Sequence, residues 1–423
     1  MIEGADLRSE VERLARKAKE ASRALAAVST ERKDAVLARV AAALRSAESA
    51  AVLDANAADL AAGEESGLSA AMLDRLRLDR PRLEGVASAL EAIVRLPDPV
   101  GQIVESRRLP SGLSVGRMRV PLGLIGIIYE SRPNVTVDAA ALCFKAGNAC
   151  LLRGGKEAFS TNRALAAIFA RALADEGFDP ALVTLLPTVE REATLAMIGL
   201  SGVVDLVIPR GGEGLIRFVA ENARVPVIQH YKGVCHVYVD ASADRERAVA
   251  IAVNAKTQRP GVCNAMETLL VDEACAEALL PPIAAALIER GVELRGDART
   301  LALVPGAKEA TEADWDEEYL DLVCAVRVVP GIDGALAHVA RHGTLHTEAI
   351  VTESYANAER WLREVDASLV AVNASTRWND GGELGLGAEV GISTTKLHAY
   401  GPMGLAELCA LKWIARGEGQ IRG

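Results

Sequence analysis

Aromatic side chains are scarce in this 423-residue chain, at 4% of positions, and small aliphatic residues carry most of an apolar content of 50%. Such side chains fill the space between helices and a sheet, which favours layered α/β architecture over a core built on large rings. Positive charge is in deficit: 47 basic against 57 acidic residues leave a net charge of −10. A chain of that sign repels nucleic-acid phosphates and anionic lipid heads, so neither is expected as a partner. An anionic small molecule must then be met by cations gathered locally. Long hydrophobic runs are missing too, none approaching the ~20 residues that span a bilayer. The opening stretch MIEGADLRSEVERLARKAKEA puts charges where a secretory signal would carry its apolar centre. A cytoplasmic protein is the expectation.

Paired cysteines are also lacking. The seven stand at 143, 150, 235, 263, 275, 324 and 409, an odd number with no CxxC, so a disulfide framework is not expected. No cysteine pair stands at ligand spacing, and no metal site is expected. Most of these thiols should be small buried core groups, leaving open which one is not. The glycine fingerprint GxGxxG is absent as well, so the usual dinucleotide signature fails.

What is present is alternation. From Leu7 to Leu60 the chain is Ala-rich with charges at helical intervals, predicting two amphipathic scaffold helices, the second capped at Ser29-Thr30-Glu31. A different rhythm starts near Pro121. LIGIIY (Leu124 to Tyr129), ACLLRGG, LVTLLP, VVDLVIP and PVIQH read as short buried strands, with helices between them at Val137–Ala146, Glu157–Ala174 and GEGLIRFVAENA. The pattern resumes after HVYVD with the helix ADRERAVAIAVNA, the strand ETLLV, a helix from Ala274 to Arg290, then DGALAHVARHG, AIVTE, ANAERWLREV and SLVAVN. Strand–helix alternation with short connections is the mark of doubly wound parallel sheets. The length is comfortable for two domains, with a division near residue 240. RLPSGLSVGRMRV looks like a hairpin about Ser111-Gly112, and the last fifty residues read as glycine-rich, then helical.

Few residues invite chemistry. Cys263 sits in QRPGVCNAMETLLV, in a loop with Pro260, Gly261 and Asn264 just ahead of a strand, where side chain and backbone N–H are both exposed, as a nucleophile needs. The competing reading is a packed loop cysteine. In IPRGGEGLI, a helix starting near Gly211-Gly212 would offer N–H groups to a pyrophosphate, although such junctions are common in these folds. Arg153 and Lys156 flank Gly154-Gly155 at a strand end, where paired cations suit a ribose 2′-phosphate; Glu157 would instead suit a free 2′-hydroxyl. Arg132, Arg259, Arg377 and Lys396 are candidate anion binders, each with an ordinary ion pair as its alternative. His236 and His346 are given no role.

Three stretches carry a resemblance: VPLGLIGIIYESRPNVTVDAAALCFKAGNACLLRGGKEA, TQRPGVCNAMETLLV and STRWNDGGELGLGAEVGIST. On them the chain, from about Leu14 onward, resembles the aldehyde dehydrogenase superfamily and, within it, the γ-glutamyl phosphate reductase branch. The resemblance implies an aldehyde-dehydrogenase-like α/β fold of two doubly wound parallel-sheet domains plus a small oligomerisation arm. An NADPH-binding domain would hold 1–107 and 123–240, and a catalytic domain 241–373. The arm would hold 108–122 and about 400–423, with 374–399 returning to the active site.

Carried over by the resemblance, Cys263 is the nucleophile, and the Asn134 side-chain amide joins the Cys263 N–H as oxyanion donor. Lys156 binds the adenosine ribose or its phosphate, the dinucleotide lies against the helix after Gly212, and Glu318 holds the nicotinamide ribose. Arg132 or Arg259 would meet a substrate phosphate and Arg377 an α-carboxylate. Hydrolytic relatives place a glutamate where this chain reads VIQHYKGVCH (Val227 to His236), a stretch with no carboxylate, so water is not readily activated there. The implied activity is NADPH-dependent reduction of γ-glutamyl 5-phosphate to glutamate 5-semialdehyde and phosphate through a Cys263 thioester, the second step of proline synthesis from glutamate. A homo-oligomer is implied, and a transient contact with glutamate 5-kinase is left open. The alternatives are another acylating or hydrolytic aldehyde dehydrogenase, and a silent relative acting as a binding protein, against which Cys263 and Asn134 are both retained.

Overall fold

The structure, a computed structural model, describes residues 4–422. Two compact units form. One runs through residue 229 and takes back 386–391 and the chain from 403; the other holds 230–385 and 392–402.

The first unit begins with helices α1 (Gly4–Leu25), α2 (Thr30–Arg45), α3 (Ala50–Glu65), α4 (Ala70–Leu76) and α5 (Arg80–Arg95). Where two helices were expected up to Leu60 there are three, because the chain breaks at Ser46, whose side chain accepts from the Glu48 amide and opens a short 3-10 turn. Ser29 does sit at the start of α2, but its side chain makes no capping hydrogen bond. Buried charge ties this scaffold to the sheet that follows. The Lys33 ammonium, fully buried, donates to the Lys145 carbonyl at 3.0 Å and pairs with Asp98, while Lys145 pairs with Asp34 and donates to the Val94 carbonyl at 3.1 Å. An ammonium out of water persists only with such partners.

The chain then forms the hairpin β1 (Ile103–Arg108) and β2 (Ser114–Pro121), followed by β3 (Leu124–Tyr129), α6 (Asn134–Lys145), β4 (Ala149–Arg153), α7 (Phe159–Asp175), β5 (Val183–Leu185), α8 (Arg191–Ile198), β6 (Leu206–Arg210) and α9 (Glu213–Asn222). Strands β3 to β6 make a parallel sheet in the order β5-β4-β3-β6. Every residue of β3 is buried, as for a strand covered on both faces. PVIQH contributes less than the strand expected of it, a single bridge from Val227 to Val207. The expectation of helix near the C-terminus is overturned: Cys409–Arg416 is a strand, antiparallel to β2 from Cys409↔Pro121 to Arg416↔Ser114. Its hydrogen-bonding partner lies far earlier in the chain, and no local pattern announces it.

The second unit runs β7 (Cys235–Val239), α10 (Arg245–Thr257), β8 (Met266–Asp272), α11 (Ala276–Glu289), β9 (Glu293–Gly296), α12 (Ala298–Leu303), β10 (Lys308–Glu309), β11 (Val323–Val329), α13 (Gly331–His342), β12 (Thr347–Val351), α14 (Tyr355–Glu364) and β13 (Leu369–Val372). The sheet is parallel throughout, in the order β10-β9-β11-β8-β7-β12-β13. A division near 240 would have left β7 in the first domain, yet it pairs with β8 and β12 here. Alternation along β7 separates two cores. Val237 and Val239 pack with Ala252 of α10 and Ile283 of α11, while Tyr238 packs with Ile332 of α13 and stacks on Trp361 of α14 at 5.6 Å. Among the described residues no helix is long and apolar enough to cross a membrane.

Two glycines flank residue 263 in space with different demands. A Cβ at Gly233 would overlap the Cys263 carbonyl oxygen and stand 2.8 Å from its Cα, whereas at Gly261 the nearest atom is the Leu320 oxygen at 3.6 Å. Gly233→Ala must therefore push main chain against main chain. It is expected to cost ~2 kcal/mol or more in a denaturant melt, with Gly261→Ala close to wild type. Equal midpoints for the two variants would show that the approach is not tight.

Candidate active site

In the first unit the candidate cofactor residues gather at the carboxyl ends of β3, β4 and β6. The chain winds from β3 to β4 and β5, then crosses to β6 on the other side of β3, and ligands of doubly wound sheets bind at such a reversal. Lys156, just past β4, is exposed. Arg153 is turned away from the partnership expected with it, its guanidinium donating to the Val189 carbonyl and, at 3.3 Å, to the Gly154 carbonyl. Burial pulls Arg153 below its usual value despite the nearby Glu157 and Glu190. Glu157 itself accepts from the Ser131 hydroxyl at 3.0 Å. Gly154 leaves room for the Tyr129 ring, 3.1 Å from where its Cβ would be.

At the start of α9 the Gly212 amide donates to a carboxylate oxygen of Glu130 at 3.1 Å, and the Glu130 side chain fills the space above Gly211. The Gly212 amide expected to meet a pyrophosphate thus already has a carboxylate acceptor within the protein. Glu130 was not singled out from the sequence, though it directly follows β3. Asn134 opens α6, and its amide nitrogen donates to Asp138 one turn on, at 2.9 Å. Arg132 lies exposed in the turn between β3 and α6.

In the second unit Cys263 alone of the seven cysteines is partly exposed; the other six are buried. Its loop is held from behind. The Cys235 thiol donates to the Cys263 carbonyl at 3.1 Å, Gly233 packs on its main chain, and the Asn264 amide donates to the Asn379 carbonyl at 3.0 Å. Asn379, from the STRWND stretch, donates in turn to the Thr347 hydroxyl at 2.8 Å and the Ser368 hydroxyl at 3.1 Å. Two of the candidate arginines converge here. Arg377 donates to Gln258 at 2.9 Å, and its charge feels both Arg259 and the Cys263 thiol. Burial is the largest influence on Arg377 and holds it below its usual value, with Asp380 opposing. Cations beside a thiol favour its thiolate and attract anions. Lys396, by contrast, pairs with Asp366 at 2.6 Å.

Glu318 reaches the same place, accepting from the Gly233 amide at 2.9 Å. A stretch without a carboxylate in sequence therefore has one beside it in space. Below this loop Lys256 and Glu267, both fully buried, pair at 2.5 Å, and Glu267 also accepts from the amide of Leu320, a residue in left-handed backbone. Desolvation pushes Glu267 up to about 7 against the pull of Lys256. The nearby histidines are packing groups: buried His346 is held neutral by desolvation, down to about 3, and bonds the Thr347 hydroxyl, while His236 meets Glu348 at 2.8 Å.

The aldehyde dehydrogenase family model matches residues 5–302. A γ-glutamyl phosphate reductase of Sorangium cellulosum is 58% identical over 99% of both chains, and one of Desulfatibacillum aliphaticivorans is 55% identical over 97% of this chain and 98% of its own. The crystal structure of γ-glutamyl phosphate reductase from Thermotoga maritima, 44% identical, superposes with a TM-score of 0.96 over 98% of this chain and 100% of that one. With this family match, and with relatives of such identity covered over nearly their whole length, this chain belongs to the aldehyde dehydrogenase family, among its γ-glutamyl phosphate reductases.

Proposed function

We propose that the protein reduces γ-glutamyl 5-phosphate to glutamate 5-semialdehyde and phosphate, with NADPH as reductant, in proline synthesis. The observation that carries this reading is Cys263, the one partly exposed thiol of the seven, with the Arg377 charge acting on it and Arg259 acting in turn on Arg377. The Cys263 thiolate attacks the acyl carbon, and its electron pair forms the C–S bond while the carbonyl pair moves to oxygen. Asn134 and the Cys263 N–H act as the donors to that oxyanion, each worth ~3 kcal/mol at such sites. As the carbonyl re-forms, the C–O bond to phosphate breaks and the thioester remains. Arg132 or Arg259 steadies the departing phosphate and Arg377 the substrate α-carboxylate, a placement worth more as positioning than as acid catalysis because phosphate already leaves readily. A bound nicotinamide would supply a hydride to the thioester carbon, and the C–S bond then breaks, its electron pair returning to the Cys263 sulfur as the semialdehyde is released. Lys156, with the Gly211–Gly212 turn, would hold the dinucleotide, and Glu318 its nicotinamide ribose. Exposed Lys156 supports NADPH over NADH, since Glu157 is already bonded to Ser131.

A hydrolytic reading has one observation in its favour, the Glu318 carboxylate beside Gly233. Phosphate dependence separates the two. With glutamate semialdehyde and NADP⁺ in phosphate-free buffer, the wild type should release about one NADPH per site and then stall, because nothing clears the thioester. Phosphate, or arsenate of like charge and shape, should restore steady turnover. Steady turnover without either would overturn the reductase reading.

Two variants check the residue roles. Cys263→Ala should lower kcat roughly 10⁴-fold or more while NADPH still binds; activity within a few per cent of wild type would exclude it as nucleophile. Lys156→Ala should raise the KM for NADPH by ~10-fold or more, the worth of a charge-assisted hydrogen bond, and leave the KM for NADH nearly unchanged. An equal rise for both cofactors would place Lys156 away from the 2′-phosphate.

A further inference from the structure

We infer that Asp138 is a positioning residue whose carboxylate fixes the orientation of the Asn134 side-chain amide, so that an N–H of that amide is held ready as an oxyanion donor. The inference rests on the reading of Asn134 given above. Asn134 and Asp138 sit one turn apart on α6, on the same helix face, and the Asn134 nitrogen donates to an Asp138 oxygen at 2.9 Å. A carboxylate only accepts, whereas an amide both donates and accepts. Turned the other way, the Asn134 oxygen would face a carboxylate oxygen with no proton between them. One orientation is therefore selected. One of the two N–H groups is spent on Asp138, and the second stays attached to a nitrogen whose place is settled. The bond is distinct from the neighbouring hydroxyl network, in which Tyr129 meets Thr136 at 2.6 Å and Thr136 donates to Asn162 at 2.9 Å.

The state of Asp138 matters for the same reason. Desolvation pushes its carboxyl up to about 6, with the Asn134 hydrogen bond and the charge of Arg210, at the end of β6, holding it down. Above that pH it is an acceptor only. Below it, the acquired proton can be donated to the Asn134 oxygen, and the amide orientation is no longer selected. The active form is the carboxylate, so kcat should rise with pH through about 6.

The test is a mutant cycle on phosphate-dependent oxidation of glutamate semialdehyde, with folding checked by thermal melting. Asn134→Ala should lower kcat ~100-fold or more, the usual effect of losing an oxyanion donor. Asp138→Ala should lower kcat ~10- to 100-fold with KM little changed, and should add almost nothing in the Asn134→Ala background. Asp138→Asn keeps the shape but can present either a donor or an acceptor. It should lose the acid limb near pH 6 along with part of kcat, and it carries the test if Asp138→Ala does not fold. A slow Asn134→Ala with Asp138 variants at wild-type rate and an unchanged acid limb would overturn the inference and leave Asn134 standing. Equal losses from Asp138→Ala in both backgrounds would make Asp138 merely structural. Asn134→Ala at wild-type rate would remove the donor reading itself, and the inference with it.

Discussion

Much of the candidate site in the second unit follows from how closely the segment leading into β7 lies against residue 263. With no side chain at Gly233, that segment reaches van der Waals range of the Cys263 main chain, and the contacts behind the loop become reachable. The Cys235 thiol meets the Cys263 carbonyl, and the Glu318 carboxylate meets the Gly233 amide. Asn264 and Asn379 complete the frame by tying the loop to β12 and β13. Every one of these bonds fastens the Cys263 main chain or a neighbouring residue. A nucleophile gains from a frame of this kind because its attack geometry is settled before substrate arrives.

Charge is distributed to the same end. The chain as a whole is acidic, at −10, yet Arg377 stands in the field of the partly exposed thiol, with Arg259 acting in turn on Arg377. The buried carboxylates are handled differently. Glu267 has Lys256, Glu348 has His236, and both are pushed upward by the loss of water. Such pairs contribute little net stability but would be costly to break, roughly 3–5 kcal/mol for removal of one partner. Glu267 also holds the Leu320 amide, two residues from Glu318, so its pair with Lys256 stiffens that loop.

How much of this was legible in the sequence depends on the range of the interaction involved. Strands β3 to β8, β12 and β13 follow local patterns that could be read, whereas β9, β10 and β11 were not expected and PVIQH is only a bridge. Arg259 and Arg377 were legible through motif context, and the structure brings them together. The pairing of Arg153 with Lys156 was not realised, because a carbonyl at Val189, on another loop, takes the guanidinium. The C-terminal strand looked helical because β2, which orders it, is distant in sequence. Glu318 looked unrelated to the 227–236 stretch for the same reason. Asp138 is the exception: its spacing of four from Asn134 was in plain view, although the helix was expected to begin only at Val137, and only its bond to the amide gives the spacing meaning.

The claim on which the rest depends is that Cys263 carries the acyl group. Its most direct measurement is peptide mass spectrometry after one turnover of glutamate semialdehyde and NADP⁺ without phosphate, with acid quenching to preserve the thioester. A glutamyl adduct on the peptide containing Cys263, absent once phosphate is added, is the expected result. An adduct on Cys235 or another cysteine, or no adduct in a sample that has released its NADPH, would contradict it.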